Sequence, residues 1–282
     1  MRHYTAFSVV TAMLLGIAPA AAQYDVLIRG GRVLDGLGNP AAIASIAIQG
    51  DRVVAIGELF GAEAALVVDA SGLYVSPGFI DVHSHAGGGL ASEELSHARP
   101  LLTQGITTVI ITPDGGGPVD LEQQRRNLLE HGLGVNTALL VPHGGVRRAV
   151  LGMEDRAPTM AQLGEMVAMV RRGMEAGAFG LSSGLYYAPG SYAQTEEVIA
   201  LAKVAAEYSG VYTSHIRDEA DYNIGVIGAV DEVIRIAREA DVTGVVTHVK
   251  ALGPRVWGES RTIVEHIEQA REEGLRVYAD QY

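Results

Sequence analysis

From Pro77 onward the sequence repeats one pattern: a short apolar run of strand length, then a stretch suited to a helix. The runs are GFIDVHSHA, ITTVIITPD, VNTALLVPH, GAFGLSSGL, VYTSHIRDE, VTGVVTHVK and LRVYADQY. Between them lie stretches such as MAQLGEMVAMVRRGMEAG, TEEVIALAKVAAEYSG and AVDEVIRIAREAD, each with apolar residues at helical spacing and closed by Gly or Asp. Seven such units in series predict an α/β fold built as a parallel (β/α) barrel, whose reactive groups gather at the C-terminal ends of the strands. A doubly wound open sheet is the alternative.

The residues before Pro77 have a different texture. YDVLIRGGRVLDGLGNP, IASIAIQGDRVVAIGEL and ALVVDASGLYVSPG read as short strands, with hairpin turns expected at Gly30-Gly31, Gly38-Asn39-Pro40 and Gly50-Asp51. The first 22 residues read as a secretory signal. Arg2 opens a short polar region, AFSVVTAMLLGIAPA is apolar, and Ala20 and Ala22 supply a small-residue cleavage site before Gln23. That apolar run falls short of the roughly 20 residues a membrane-spanning helix needs. The expected organisation is a signal peptide over 1–22, a small β-sandwich module over 23–76 and the barrel over 77–282, with export to the periplasm or the medium and no membrane attachment after cleavage.

Composition narrows the chemistry. The chain has no cysteine, which removes disulfides, thiolate metal sites and cysteine nucleophiles, so any metal must be held by nitrogen and oxygen. A formal charge of -12 argues against a surface that tracks nucleic-acid phosphates. Small-molecule chemistry is the better expectation.

Polar residues then cluster where a barrel enzyme needs them. His83, His85, Asp114, His143, Ser182, Ser183, His215, His248, Lys250 and Asp280 all fall at or just beyond the expected C-terminal ends of strands. A single strand-end histidine is more often a hydrogen-bonded structural residue than a ligand; several on one rim reverse that expectation. Side chains alternate faces along a strand, so His83 and His85 point the same way and can approach one cation. Asp81 shares that parity but lies deeper, where it can orient a ligand. Imidazole nitrogen binds zinc at about 2.0 to 2.1 Å, and a catalytic zinc keeps one position open for water.

PGFIDVHSH, followed by single histidines in YTSHIRDE and VVTHVKALG, resembles the amidohydrolase superfamily, whose members set one or two metals in a (β/α)8 barrel beside a small β-sandwich. GAFGLSSGLYYAPGSYAQTEEV narrows the resemblance to the N-acyl-D-amino-acid deacylases, or D-aminoacylases. The likeness runs from about Tyr24 to Tyr282. It implies that His83 and His85 are the first-strand ligands and that His215 and His248 are those of the fifth and sixth strands. Asp114 stands where that family commonly places a bridging cysteine. A carboxylate can still bridge, but it is a harder ligand than sulfur and changes metal preference. GAFGLSSGL offers no lysine for carboxylation, which again fits the deacylases. By the same likeness Lys250 is associated with the substrate carboxylate, which a fixed ammonium would orient, and Tyr187 and Arg217 are candidate substrate contacts.

What the resemblance implies is hydrolysis of the amide bond of N-acyl-D-amino acids by a metal-activated water, with one or two Zn2+ ions. A general acid/base must move the proton to the leaving nitrogen. In the family this is an aspartate at the end of the eighth strand. VYADQY is the seventh run, so Asp280 is a poor candidate, no residue here fills that catalytic role, and the expected barrel is incomplete, with about seven strands. A hydrolase of cyclic amides or dipeptides is the alternative enzyme, and a noncatalytic truncated metal-binding barrel is the alternative of another class. Gly180-Leu181-Ser182-Ser183-Gly184 has the spacing of a serine-hydrolase elbow, but the downstream histidines fit metal ligands on successive strands better than triad partners. Sequence leaves the oligomeric state unknown.

Overall fold

The computed structural model describes residues 23–281, so the expected signal segment lies outside the described residues. They form two compact units that divide between Pro77 and Gly78.

The first unit is a mixed sheet of β1 (Tyr24–Val33), β2 (Ala42–Gln49), β3 (Arg52–Gly57), β4 (Ala64–Asp69) and β5 (Tyr74–Val75). The order is β3-β2-β1-β4, with β5 also pairing β1. β1 runs antiparallel to β2 and parallel to β4 and β5. All five strands lie in one sheet, with no second facing sheet among the described residues of this unit. The expected turns at Gly38 to Pro40 and at Gly50-Asp51 join β1 to β2 and β2 to β3. The third expected turn, Gly30-Gly31, is instead a bulge within β1, where the register to β2 shifts between Ile28 and Gly31. The physical reason is local: Gly30 takes a positive φ of 69°, and a Cβ at Gly31 would come within 2.6 Å of Val75. The chain therefore kinks without reversing.

The second unit is a seven-stranded parallel sheet. Its strands are β6 (Phe79–Ser84), β7 (Ile106–Ile111), β8 (Asn136–Pro142), β9 (Gly180–Gly184), β10 (Val211–His215), β11 (Thr243–Val246) and β12 (Val277–Ala279). They pair strictly in chain order, as βα units in series require. The helices are α1 (Gly87–Leu90), α2 (Arg99–Leu102), α3 (Leu121–Leu129), α4 (His143–Leu151), α5 (Met160–Glu175), α6 (Thr195–Glu207), α7 (Gly225–Ala240) and α8 (Ser260–Glu272). Their starts and stops follow from side chains. Asp120 caps α3 through the Gln123 amide, and Thr159 with Gln162 forms a reciprocal capping box on α5. Asp241 ends α7 in a left-handed conformation. The buried face of α7, with Val226, Ala229, Val230, Val233 and Ala237, recurs at three- and four-residue intervals and packs into the main core with Met166, Leu201, Ile263 and Val277. A smaller core around Val109, Ile111, Leu128 and Val135 anchors β7.

The sheet is strongly curled. Four strands separate β6 from β11, which in a flat sheet would place them about 24 Å apart at about 4.8 Å per step. Yet the rings of His83 and His248 have centroids 4.9 Å apart. β6 and β12 remain the two edges, so the architecture is a TIM-barrel-type (β/α) wall of seven strands that does not close among the described residues. Phe79, Ile80 and Val82 on β6 and Tyr278 on β12 are exposed there. No described helix is long and apolar enough to cross a membrane.

Candidate metal centre

Four strand ends deliver the site. His83 lies in β6, and its backbone N–H donates to Asp81 Oδ1 at 3.1 Å, so Asp81 steadies the strand beneath the histidine. His215 is the last residue of β10, and His248 follows two residues after β11. The His248 backbone is left-handed, with φ 41°, and its N–H donates to the Asp280 carboxylate beyond β12. A histidine at positive φ is uncommon and persists where its surroundings hold it.

Asp114 comes from the turn after β7, also at positive φ (56°), as is Thr112 at 67°. Two features of β9 fix that turn. The Ser182 hydroxyl donates to the Thr112 carbonyl at 2.7 Å and accepts from the Gly115 amide at 3.2 Å. Gly184 lets the backbones meet, since a Cβ there would lie 2.2 Å from the Asp114 carbonyl oxygen. The GLSSGL segment therefore shapes the site from below.

The side chains converge on Asp114. Its Oδ1 is 3.4 Å from His83 Nε2, 3.4 Å from His248 Nε2 and 3.7 Å from His215 Nδ1, while Oδ2 is 3.2 Å from His85 Nε2. Ligand atoms of His83, His85 and Asp114 form one group of metal-holding size, and those of Asp114, His215 and His248 form a second. Asp114 is common to both.

The donors fit a cation. His83 Nε2 and Asp114 Oδ1 are buried and make no hydrogen bond with the described residues, an arrangement that would cost about 1–3 kcal/mol per group without a further partner. All donors are imidazole nitrogen or carboxylate oxygen, a set suited to zinc or another borderline divalent ion. One carboxylate with two oxygens between two histidine pairs can hold two ions side by side, and ions in such a cluster can acidify water and polarise a carbonyl.

Electrostatics separates the two inner histidines. Burial pushes His215 down to about 4, against the opposing pull of Glu219. Burial also acts on His248, but the Asp114 and Glu219 carboxylates beside it outweigh it and raise the ring to about 9. Asp114 is held far below the usual carboxylate range: burial opposes this, and the His248 and His83 rings beside it overcome it. Its negative charge is secure at neutral pH.

The remaining candidates fall in different places. Lys250 Nζ is bound to Glu219 Oε1 and lies 3.0 Å from His248 Nδ1, directly behind the cluster. Tyr187 puts its hydroxyl 3.2 Å from His215 Nδ1, and the residue is 47% exposed. Arg217 is not brought into the cluster. Its guanidinium pairs with Glu232 and donates to the carbonyls of Ser191 and Ala193, so it fastens the loop before α6. His143 is fully buried against Glu197, which also binds Arg147. Trp257 is 71% exposed. A cavity of about 450 Å³ opens beside Asp114 and Tyr187 between the glycine turn Gly115–Gly117 and Gly144-Gly145 at the start of α4. A second, of about 420 Å³, lies against His83, His85, His248 and Asp280.

Sequence reasoning missed Glu219. Its Oε1 lies 3.5 Å from His215 Nε2 and 3.3 Å from His248 Nδ1, yet it sits in a turn, where spacing carries no directional information. The available signal was its place in HIRDE, four residues past a strand-end histidine.

A model of the amidohydrolase family matches residues 66–280. D-aminoacylase of Alcaligenes xylosoxydans xylosoxydans is 34% identical over 270 residues, covering 88% of this chain and 55% of the relative. The crystal structure of N-acyl-D-glutamate deacylase from Bordetella bronchiseptica, complexed with zinc and a phosphonate that mimics the tetrahedral intermediate, superposes with a TM-score of 0.82 at 38% identity, over 92% of this chain and 58% of the other. A D-aminoacylase structure concerned with a binuclear metal centre, one metal activating and the second attenuating, gives a TM-score of 0.84 at 31% identity, over 92% and 58%. The chain thus spans a little over half the length of these relatives.

Proposed function

This chain belongs to the amidohydrolase family, and on that basis we propose that it carries the metal centre of an exported hydrolase for the amide bond of N-acyl-D-amino acids. One observation carries the reading: a single carboxylate, Asp114, is shared by His83 and His85 on one side and by His215 and His248 on the other. The named relatives act on N-acyl-D-amino acids, and the Bordetella structure holds zinc with a mimic of the tetrahedral intermediate.

In this reading those five residues hold one or two zinc ions. When bound, zinc supplies acidification of a water toward neutral pH and polarisation of the amide carbonyl. The protein's own residues do the rest. Asp114 stays ionised, with Oδ1 toward His83, His215 and His248 and Oδ2 toward His85. Lys250 places a positive charge behind His248, suited to orienting the substrate carboxylate. Tyr187 stands at the rim of the 450 Å³ cavity with its hydroxyl on His215 and serves as a substrate contact. Periplasmic or extracellular placement rests on the apolar segment before Gln23.

The test is release of free amino acid from N-acetyl-D- and N-acetyl-L-amino acids by the purified chain, before and after chelation. Turnover confined to the D series, lost on chelation and restored by zinc, supports the reading. Turnover indifferent to chelation, or a purified chain that binds no zinc, contradicts it.

A further inference from the structure

We propose that Glu219 is a positioning residue that fixes which nitrogen His215 presents to the metal; this rests on the metal-centre reading above. Glu219 lies on the turn after β10, is 5% exposed, and faces the back of both rings through one oxygen. His215 turns Nδ1 toward Asp114 and Nε2 toward Glu219, at 3.7 and 3.5 Å. His248 does the reverse, with Nε2 3.4 Å from Asp114 and Nδ1 3.3 Å from Glu219. The two imidazoles thus meet the shared carboxylate through different nitrogens while backing onto the same anion.

A neutral imidazole has one N–H and one lone pair, and the N–H settles where an acceptor is available. A carboxylate accepts only, so Glu219 draws the N–H of His215 to Nε2. The lone pair of His215 is left on Nδ1, the side that faces Asp114. Two further contacts agree with this. His215 Nε2 is buried and makes no hydrogen bond with the described residues, the Glu219 carboxylate that it faces lying 3.5 Å away, and the Tyr187 hydroxyl, which can donate, lies on Nδ1, where a lone pair is required. Lys250 binds the same Glu219 oxygen and the His248 carbonyl. Glu219 therefore links the lysine to both histidines, so that a displaced Lys250 would be felt at the metal.

The experiment measures zinc affinity of the purified chain by competition with a chromophoric chelator, for the natural protein, Glu219→Gln, Glu219→Ala and Lys250→Met. Outer partners of metal-bound histidines are worth about 10- to 100-fold in affinity. Both Glu219 variants should lose affinity within that range, and Lys250→Met should lose less. Long-range ¹⁵N imidazole spectra of the zinc-loaded protein should show the proton of His215 on Nε2. Circular dichroism establishes that each variant is folded, and Glu219→Gln, nearly isosteric, keeps the test decisive if Glu219→Ala fails to fold. Natural protein that binds zinc as tightly as Glu219→Gln does, or a His215 proton on Nδ1, overturns the inference and leaves the metal centre standing. Natural protein that binds no zinc overturns both.

Discussion

The rings of His83 and His248 lie 4.9 Å apart, edge to face, although their strands are separated by four others in the sheet. Only a sheet curled nearly into a barrel brings them together, so the fold and the site are one geometric fact. The same curl sets Asp114 among four histidines.

Gly184→Ala should damage the site without touching a ligand. The added methyl would lie 2.2 Å from the Asp114 carbonyl oxygen, against backbone that has no flexible side chain to yield. Overpacking of this kind costs about 1–3 kcal/mol. The expected result is a lower melting temperature together with weaker zinc binding, read by calorimetry and chelator competition; unchanged metal affinity would mean that the Asp114 turn is held by other contacts.

Ser182→Ala separates a structural serine from a nucleophile. The hydroxyl is fully buried and bridges the Thr112 carbonyl and the Gly115 amide, so its loss leaves both unsatisfied, at about 1–3 kcal/mol. The variant should be less stable by that order in urea unfolding. It should never show a selective loss of a covalent acyl intermediate.

Acid should weaken the fold through Glu197. Burial raises that carboxyl, but hydrogen bonds and charge from His143 and Arg147 more than reverse the effect and hold it below its ordinary value of 4.5. A carboxyl depressed on folding contributes stability that is fully present above about pH 4.5 and is lost as pH falls through the folded value. Glu197→Gln should therefore cost about 3 kcal/mol at neutral pH, where it strands a buried Arg147, and show a flatter loss of stability below pH 4.5 than the natural protein. Parallel acid branches in the two unfolding series would rule out Glu197 as the cause.

Much of this was legible in the sequence because strand and helix periods are short-range signals. The seven runs became β6 to β12 in order, and the parity of His83 and His85 brought both to Asp114. What stayed hidden depends on side-chain partners across the fold. Arg217 reads as a rim cation, but Glu232, fifteen residues away on α7, claims it. His143 could equally have lined a pocket, and only its burial against Glu197 shows it to be part of the packing between α4 and α6. Gly30-Gly31 reads as a turn because positive φ serves turns and bulges alike, and only the register of β1 against β2 tells them apart. Glu219 and the left-handed backbones of Asp114 and His248 leave no periodic trace at all.

The claim at the centre of the account is that Asp114 is shared between two metal positions. It is tested by zinc stoichiometry at saturation, by equilibrium dialysis and elemental analysis, on the natural protein, the paired variants His83→Ala/His85→Ala and His215→Ala/His248→Ala, and Asp114→Ala. The account predicts that each histidine pair removes one position and leaves the other, and that Asp114→Ala weakens both. An Asp114→Ala protein that binds zinc as the natural chain does, or histidine pairs whose loss leaves the metal content unchanged, would contradict it.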